Sequence, residues 1–253
     1  MTTVFAHVSD IHLGQGDGVA ARRRTAAVVD YLAGLPGPLA AVLLTGDIAD
    51  HGLPAEYREA AELLAPLAAP VLPCPGNHDE RIAYQRAFLG EPDTGGLPVD
   101  RVHRVAGATF VMCDSSIPGA DDGFLSDDTL AWLDKILSET PDAPAFVCFH
   151  HPPVPLHVPF VDGIRLTGED RLAAVLANHP HVVAVLCGHA HVAAATTFAG
   201  RPLLVGGGVV STLRMLPWEG GPDIDYELPP TVAFHVLGDD GRLTTHYRVV
   251  PIT

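Results

Sequence analysis

Five short apolar runs, each closing on a cluster of Asp, Asn or His, constrain this chain more than any other feature. Thr3 to Val8 leads into Asp10 and His12, and Ala41 to Thr45 leads into Gly46-Asp47. Val71 to Cys74 leads into Gly76-Asn77-His78-Asp79. Ala145 to Phe149 leads into His150-His151-Pro152-Pro153, and Val182 to Cys187 into Gly188-His189-Ala190-His191. Runs of this length and composition read as strands. In open α/β sheets ligands bind at the carboxyl ends of the strands, so five separate loops can deliver one cluster.

Helical patterns fall between these runs. Val19 to Leu35 carries apolar residues at Val28, Val29, Leu32 and Leu35, and Pro54 to Leu67 has Pro54 in its first turn. Arg81 to Leu89, Ser126 to Leu137 and Glu169 to Ala177 read as further helices, with Ser126 as an N-cap, and Thr109 to Cys113 as another strand. Beyond Cys187 the pattern changes to strands: Thr196 to Phe198, Pro202 to Val205, Thr231 to Leu237 and Leu243 to Val250. Gly238-Asp239-Asp240-Gly241 makes a hairpin turn between the last two. The first part predicts a mostly parallel sheet with crossover helices, and the second a strand-rich return. An α/β chain of two facing sheets flanked by helices accommodates both in a single domain over residues 1–253. The segments Ile117 to Leu125, Pro152 to Arg165 and Met215 to Pro230 are rich in Pro, Gly and Asp and are candidate rims of a site.

Charge narrows the partners. The chain has 15 Lys and Arg against 30 Asp and Glu, a net charge of −15. That balance disfavours a nucleic-acid polymer, which is gripped by Lys and Arg, and it disfavours an anionic membrane surface. A phosphate substrate would need positive charge from bound metal ions. The N-terminal segment carries no signal-peptide pattern, and no apolar stretch is long enough to span a bilayer, so the expected location is the cytoplasm. The four cysteines Cys74, Cys113, Cys148 and Cys187 form no CxxC pair and each closes an apolar run. They read as small, reduced core residues at strand ends.

The clusters themselves suit metal ions. Imidazole and carboxylate together favour Mn, Fe or Zn over Mg or Ca. Asp10 and His12 stand two apart, as do His189 and His191, so each pair points to one side if the chain stays extended. A two-metal site needs a bridging carboxylate and clamps the attacking and leaving oxygens of an in-line displacement. Asp47, alone on its loop, is placed to bridge. Each piece also has an ordinary structural reading: Gly-Asn-His-Asp as a helix start, His-His-Pro-Pro as a rigid loop, Gly-Asp as a turn. Their recurrence after five strands is what favours a shared centre.

The order Asp-x-His, Gly-Asp, Gly-Asn-His-Asp, His, Gly-His-x-His resembles the calcineurin-like metallophosphoesterase superfamily. The likeness spans residues 8 to 191 and is carried by SDIHL, LLTGDIADHG, PCPGNHD, CDSSIPGADDGFLSDDTLAWL, FHHPPVP and VLCGHAHV. Within it the chain is most similar to bacterial class III cyclic-nucleotide phosphodiesterases. The resemblance implies a four-layer αββα sandwich of two facing mixed sheets. It implies one metal held by Asp10, His12, Asp47 and His191, and a second held by Asp47, Asn77, His150 and His189. His78 would contact phosphate and assist the leaving oxygen. Asp79 would orient His78 by a hydrogen bond, or else serve as a plain helix-start acid. His151 reads as supporting or core rather than as a third ligand, and His7, His103, His179, His181 and His235 as structural or exposed.

By the same resemblance the substrate is a 3′,5′-cyclic nucleotide such as cyclic AMP, opened to the 5′-monophosphate, and the chain pairs as a homodimer. Some positions depart from the family pattern. Val192 stands where Arg is common, Thr167 and Gly168 stand where Asn is expected, and Ser211-Thr212 follows the run Gly206 to Gly208. These changes touch the rim and leave glycerophosphodiesters, other small diesters and phosphomonoesters open. A nuclease would want a basic groove, and a non-catalytic module would usually lack ligands; neither description suits this sequence.

Overall fold

A computed structural model describes residues 2–252, so the two end residues of the expected 1–253 span lie outside the described chain. In chain order, β1 (Thr3–Val8), α1 (Val19–Ala33), β2 (Val42–Thr45), α2 (Pro54–Leu64) and β3 (Val71–Cys74) come first. α3 (Arg81–Ala83) runs on as a π-helical turn over Tyr84–Phe88 and leads to β4 (Arg101–Val105) and β5 (Ala108–Met112). The middle holds β6 (Gly123–Phe124), α4 (Asp127–Glu139), β7 (Ala145–Cys148), α5 (Pro159–Asp162) and β8 (Leu166–Thr167). α6 (Glu169–Ala177) and β9 (Val182–Cys187) follow. Strands alone then remain: β10 (Ala194–Phe198), β11 (Arg201–Val205), β12 (Thr212–Leu213), β13 (Ile224–Asp225), β14 (Thr231–Leu237) and β15 (Leu243–Val249).

The strands form two mixed sheets. The first has the order β15-β14-β1-β2-β3, with β1, β2 and β3 parallel and β14 and β15 antiparallel at one edge. The second has the order β10-β11-β9-β7-β5-β4, with β5, β7, β9 and β11 parallel and antiparallel strands at both edges. Alternation along each strand divides its side chains between two cores. Phe5 and Leu43 meet Phe110, Phe146 and Leu186 between the sheets. Ala6, Val8, Val42 and Leu44 face the other way, against α1 and α2. Val147 and Val185 likewise face α4 and α6. This division makes the four layers αββα. Phe5 packs edge-on against Phe110 and Phe146 at centroid distances of 5.0 and 4.9 Å. Each such ring, fully withdrawn from water, contributes about 1.5–3 kcal/mol.

The helices follow their apolar spacing. α1 buries Val28, Val29 and Leu32 and closes at Gly34, whose N–H bonds the Asp30 carbonyl at 2.9 Å; it therefore stops short of Leu35. α2 likewise stops at Leu64, short of the expected Leu67. The Ser126 hydroxyl accepts the Thr129 N–H at 3.0 Å and caps α4 as expected. The expected Arg81–Leu89 helix is α-helical only to Ala83. β4 lies outside the expected strands, because Arg101, His103 and Arg104 break the apolar pattern on a sheet edge. All four cysteines are free and fully buried. No helix among the described residues is long and apolar enough to cross a membrane.

Candidate metal centre

The loops after β1, β2, β3, β7 and β9 meet at one place, and backbone hydrogen bonds knit them. Asp10 N–H bonds the Gly46 carbonyl at 3.1 Å, His12 N–H the Asp47 carbonyl at 3.0 Å, and Gly188 N–H the His150 carbonyl at 2.9 Å. Close approach demands glycine at several points, Gly46 and Gly76 among them. Gly46 sits at φ 90°, and a Cβ there would run into the His150 ring; a Cβ on Gly76 would run into the Asp47 carboxylate. The expectation of extended Asp-x-His and His-x-His segments is corrected. Asp10 (φ 55°), His12 (40°), Asp47 (50°), His189 (67°) and His191 (53°) all lie in the left-handed region. Each costs about 1–3 kcal/mol for a residue with a side chain, and the knitted loops hold them there. In each pair the two left-handed residues flank one ordinary residue, Ile11 or Ala190, and both side chains reach the cluster.

Asp47 is the centre of the cluster. Its Oδ2 lies 3.3 Å from His12 Nε2 and 3.3 Å from His150 Nε2. Its Oδ1 accepts the His78 N–H at 3.0 Å. Asp10 Oδ1 lies 3.4 Å from His191 Nε2 and 3.9 Å from His150 Nε2, while Oδ2 accepts the His189 N–H at 3.1 Å. His12 Nε2 and His191 Nε2 stand 3.3 Å apart, and His189 Nδ1 and His150 Nε2 3.2 Å apart. The ligand atoms of Asp10, His12 and His191 all fall within 4.8 Å of one another, as do those of Asp10, Asp47 and His150. Asn77 lines the same cleft.

These residues fit metal ions on three grounds. First, His12 Nδ1 faces the Asp50 carboxylate at 2.9 Å and His150 Nδ1 faces the Thr45 carbonyl at 2.7 Å. Both partners only accept, so each ring commits an N–H at Nδ1 and turns Nε2 inward as the atom left for a metal, the arrangement that orients ligating histidines. His191 Nδ1 hydrogen-bonds the Ser211 hydroxyl at 2.8 Å, which also fixes the direction of that ring. Second, Asp10 Oδ1 and Asn77 Oδ1 are buried without a hydrogen-bond partner, an unfavourable state for a polar atom. Third, the charges call for cations. Burial works against protonating His12 and His150, yet Asp47, helped by Asp50 at His12 and by Asp10 at both, outweighs it and raises them to about 10 and about 9. Burial likewise opposes ionisation of Asp47, and His150 and His12 still hold its carboxyl well below the usual range. Cations can take the place of those protons.

His78 and Asp79 part company. His78 lines the cleft, with its side chain 41 % exposed, and its Nδ1 donates to the Asp50 carbonyl at 2.8 Å. The Asp79 carboxylate is buried and turns the other way. It accepts N–H groups from Ile48, Ala49 and Gly76 at 3.2, 3.1 and 2.8 Å and the Tyr57 hydroxyl at 3.0 Å. Asp79 therefore ties the Asp47 loop to the Asn77 loop and does not orient His78. Nor is it the helix-start acid: Glu80 caps α3 by accepting the Ile82 and Ala83 N–H groups. Burial, with the charge of Asp47, pushes Asp79 up to about 6. Asp50 is the residue that the sequence reading missed. It holds His12 through its side chain and His78 through its backbone, and its place three residues after Asp47 was the available signal. His151 is fully buried and bonds the Ser115 hydroxyl through Nδ1 at 2.8 Å. Its ligand atoms lie within reach of those of His150 and His189.

A cleft of about 340 Å³ opens over the cluster. His12, Asp47, Asn77, His78, His189 and His191 form its floor. Each expected rim segment contributes to its walls: Asp121 from the first, Phe160 and Ile164 from the second, Ile224 and Tyr226 from the third.

The profile of the calcineurin-like phosphoesterase family matches residues 3–193. The glycerophosphodiester phosphodiesterase GpdQ of Enterobacter lignolyticus is 34% identical over 190 residues, covering 71% of this chain and 68% of its own. A cAMP/cGMP dual specificity phosphodiesterase of Mycobacterium tuberculosis is 32% identical over 278 residues, covering 98% of this chain and 83% of its own. Among solved structures, a dimetal phosphatase from Danio rerio superposes with a TM-score of 0.69 at 15% identity, covering 98% of this chain and 99% of its own. That likeness speaks to the fold alone.

Proposed function

This chain belongs to the calcineurin-like phosphoesterase family, and on that premise we propose that it is a dinuclear metal-dependent phosphodiesterase that opens 3′,5′-cyclic nucleotides such as cyclic AMP. The observation that carries this reading is the placement of Asp47 Oδ2, 3.3 Å from a histidine of each half of the cluster. In the reading, residues 1–253 form one metallophosphoesterase domain acting in the cytoplasm. Asp10, His12, Asp47 and His191 hold one ion, and Asp47, Asn77, His150 and His189 the other; the donor set suits Mn, Fe or Zn. When bound, the ions supply Lewis acidity and make water nucleophilic near neutral pH.

The chain's own groups do the rest. In ring opening, water adds its oxygen to phosphorus, the P–O3′ bond breaks, and the 3′ oxygen takes up a proton. His78 faces the cleft with Nδ1 donating to the Asp50 carbonyl, so in its doubly protonated form the Nε2–H is free to contact a phosphoryl oxygen or deliver that proton. Asp50 and Thr45 fix the ligand rings, and Asp79 fixes the loops that carry Asp47 and Asn77. The similarity to cyclic-nucleotide phosphodiesterases supports the substrate, and the similarity to GpdQ supports glycerophosphodiesters as the competing one.

The test is to assay cyclic AMP, bis(p-nitrophenyl) phosphate and p-nitrophenyl phosphate with Mn and with chelator. Activity on the two diesters that vanishes with chelator and returns with Mn is expected. His78→Ala should lower kcat about 10²–10⁴-fold while two ions per chain remain by mass spectrometry. Inertness of the Mn-loaded protein towards all three substrates refutes the reading.

A further inference from the structure

One wall of the cleft is apolar and aromatic. Phe160, Leu213, Ile224 and Tyr226 line it, and they come from α5, β12, β13 and the residue after β13. Phe160 is 62 % exposed and Tyr226 48 %. Large rings left open to water at the mouth of a polar site are candidates for ligand contact.

Both rings stand on braced backbone. Phe160 lies between the buried Val158 and Val161, and the Asp162 carboxylate accepts the Leu156 N–H at 2.7 Å to close that turn. Tyr226 follows Asp225, whose Oδ1 accepts the Glu227 and Leu228 N–H groups at 2.8 and 2.9 Å. The buried Arg24 of α1 donates to the carbonyls of Val209 at 2.7 Å, Tyr226 at 3.0 Å and Leu228 at 2.5 Å. This guanidinium ties the backbone of Tyr226 and Leu228 to that of Val209 and so holds the Tyr226 segment in place. A platform fixed before binding loses little entropy when a flat ligand settles on it.

Charge selects the other end of the ligand. Among the described residues no Lys or Arg lines this cleft, and Asp47 and Asp121 do. Beyond bound cations and the cleft's histidines, no side chain of fixed positive charge lines the cleft to neutralise a second or third phosphate charge, which suits a singly charged diester. The volume, near the lower end for small-molecule sites, suits one nucleotide and not a polymer. We infer that Phe160 and Tyr226, with Leu213 and Ile224, form a stacking platform for the nucleobase of a cyclic mononucleotide whose phosphate lies at the Asp47 cluster. This assignment rests on the diesterase reading above and adds the feature that separates nucleotides from glycerophosphodiesters, which have no flat group to stack.

The experiment compares kcat and KM of the Mn-loaded protein, Phe160→Ala and Tyr226→Ala on cyclic AMP and on glycerophosphoethanolamine. Each substitution should raise KM for cyclic AMP about tenfold, the scale of one lost base–aromatic stack. The preference for cyclic AMP over glycerophosphoethanolamine should fall by the same factor, and Phe160→Tyr should restore it. No change in that preference, or equal losses on both substrates, overturns the platform. Titration with adenosine, which carries no phosphate, separates this inference from its premise. If the parent protein hydrolyses neither diester yet binds adenosine about tenfold more tightly than Phe160→Ala does, the diesterase reading fails and the platform stands. If adenosine does not bind, the platform fails whatever the activity.

Discussion

Asp50→Ala tests how the centre is organised, because Asp50 reaches two functional rings by different atoms. Its side chain, 14 % exposed, accepts His12 Nδ1–H at 2.9 Å, and its backbone carbonyl accepts His78 Nδ1–H at 2.8 Å. The substitution removes the first bond and leaves the second. Loss of the acceptor behind a ligating histidine costs about 10–100-fold in metal affinity, which is about 1.4–2.7 kcal/mol. The penalty should fall on the ion held by His12, since His150 is oriented by the Thr45 carbonyl and keeps its bond. Calorimetric titration of Mn into the chelated protein should then show one site weakened by that factor and one retained. Asp50→Asn, which keeps an acceptor oxygen but loses the charge, should fall between. Two undiminished sites in Asp50→Ala would refute the argument. So would equal loss of both sites together with a lowered Tm of the metal-free protein, which would mark Asp50 as a general structural residue.

Two further outcomes follow from geometry and burial. Gly76→Ala drives a Cβ into the Asp47 carboxylate, so the chelated protein should lose about 1–3 kcal/mol of stability in urea and tight Mn binding should fail; normal Mn binding would contradict the crowding. Burial lowers His7 from 6.5 to about 3, so its stabilising contribution is complete above pH 6.5 and is lost as pH falls from there towards 3. Between pH 6.5 and 4.5 the unfolding free energy of the parent should fall about 1.4 kcal/mol per pH unit more steeply than that of His7→Leu; equal slopes would show that His7 is not held neutral.

What could be read from the sequence, and what could not, divides along one physical line. Central strands of the two sheets are buried along almost their whole length and announce themselves by composition, as the runs Ala41–Thr45 and Val182–Cys187 do. The edge strand β4 mixes Arg101, His103 and Arg104 with valines and carries no such mark. Residue types placed Asp10, His12, Asp47, His150, His189 and His191 around one point, since each follows a buried strand. Orientation within a loop is another matter. Asp79 adjoins His78 in sequence, yet the turn sends its carboxylate to the N–H groups of residues 48, 49 and 76. Asp50, three residues beyond Asp47, comes back to grip both rings. Residue spacing likewise does not encode the left-handed backbone at Asp10, His12 and Asp47. The π-helical turn after Ala83 was equally invisible; it accompanies the packing of Tyr84 against Tyr57 and Phe88, at 6.0 and 5.7 Å.

The cluster draws on both halves of the sandwich. Asp10, His12, Asp47 and Asn77 follow strands of one sheet, and His150, His189 and His191 follow strands of the other. Cations gripped by all of them would act as a clasp across the seam, tying the first third of the chain to its later portion. Starving the protein of metal should then do more than idle its chemistry: it would leave the open end of the sandwich freer to breathe and easier for a protease to enter.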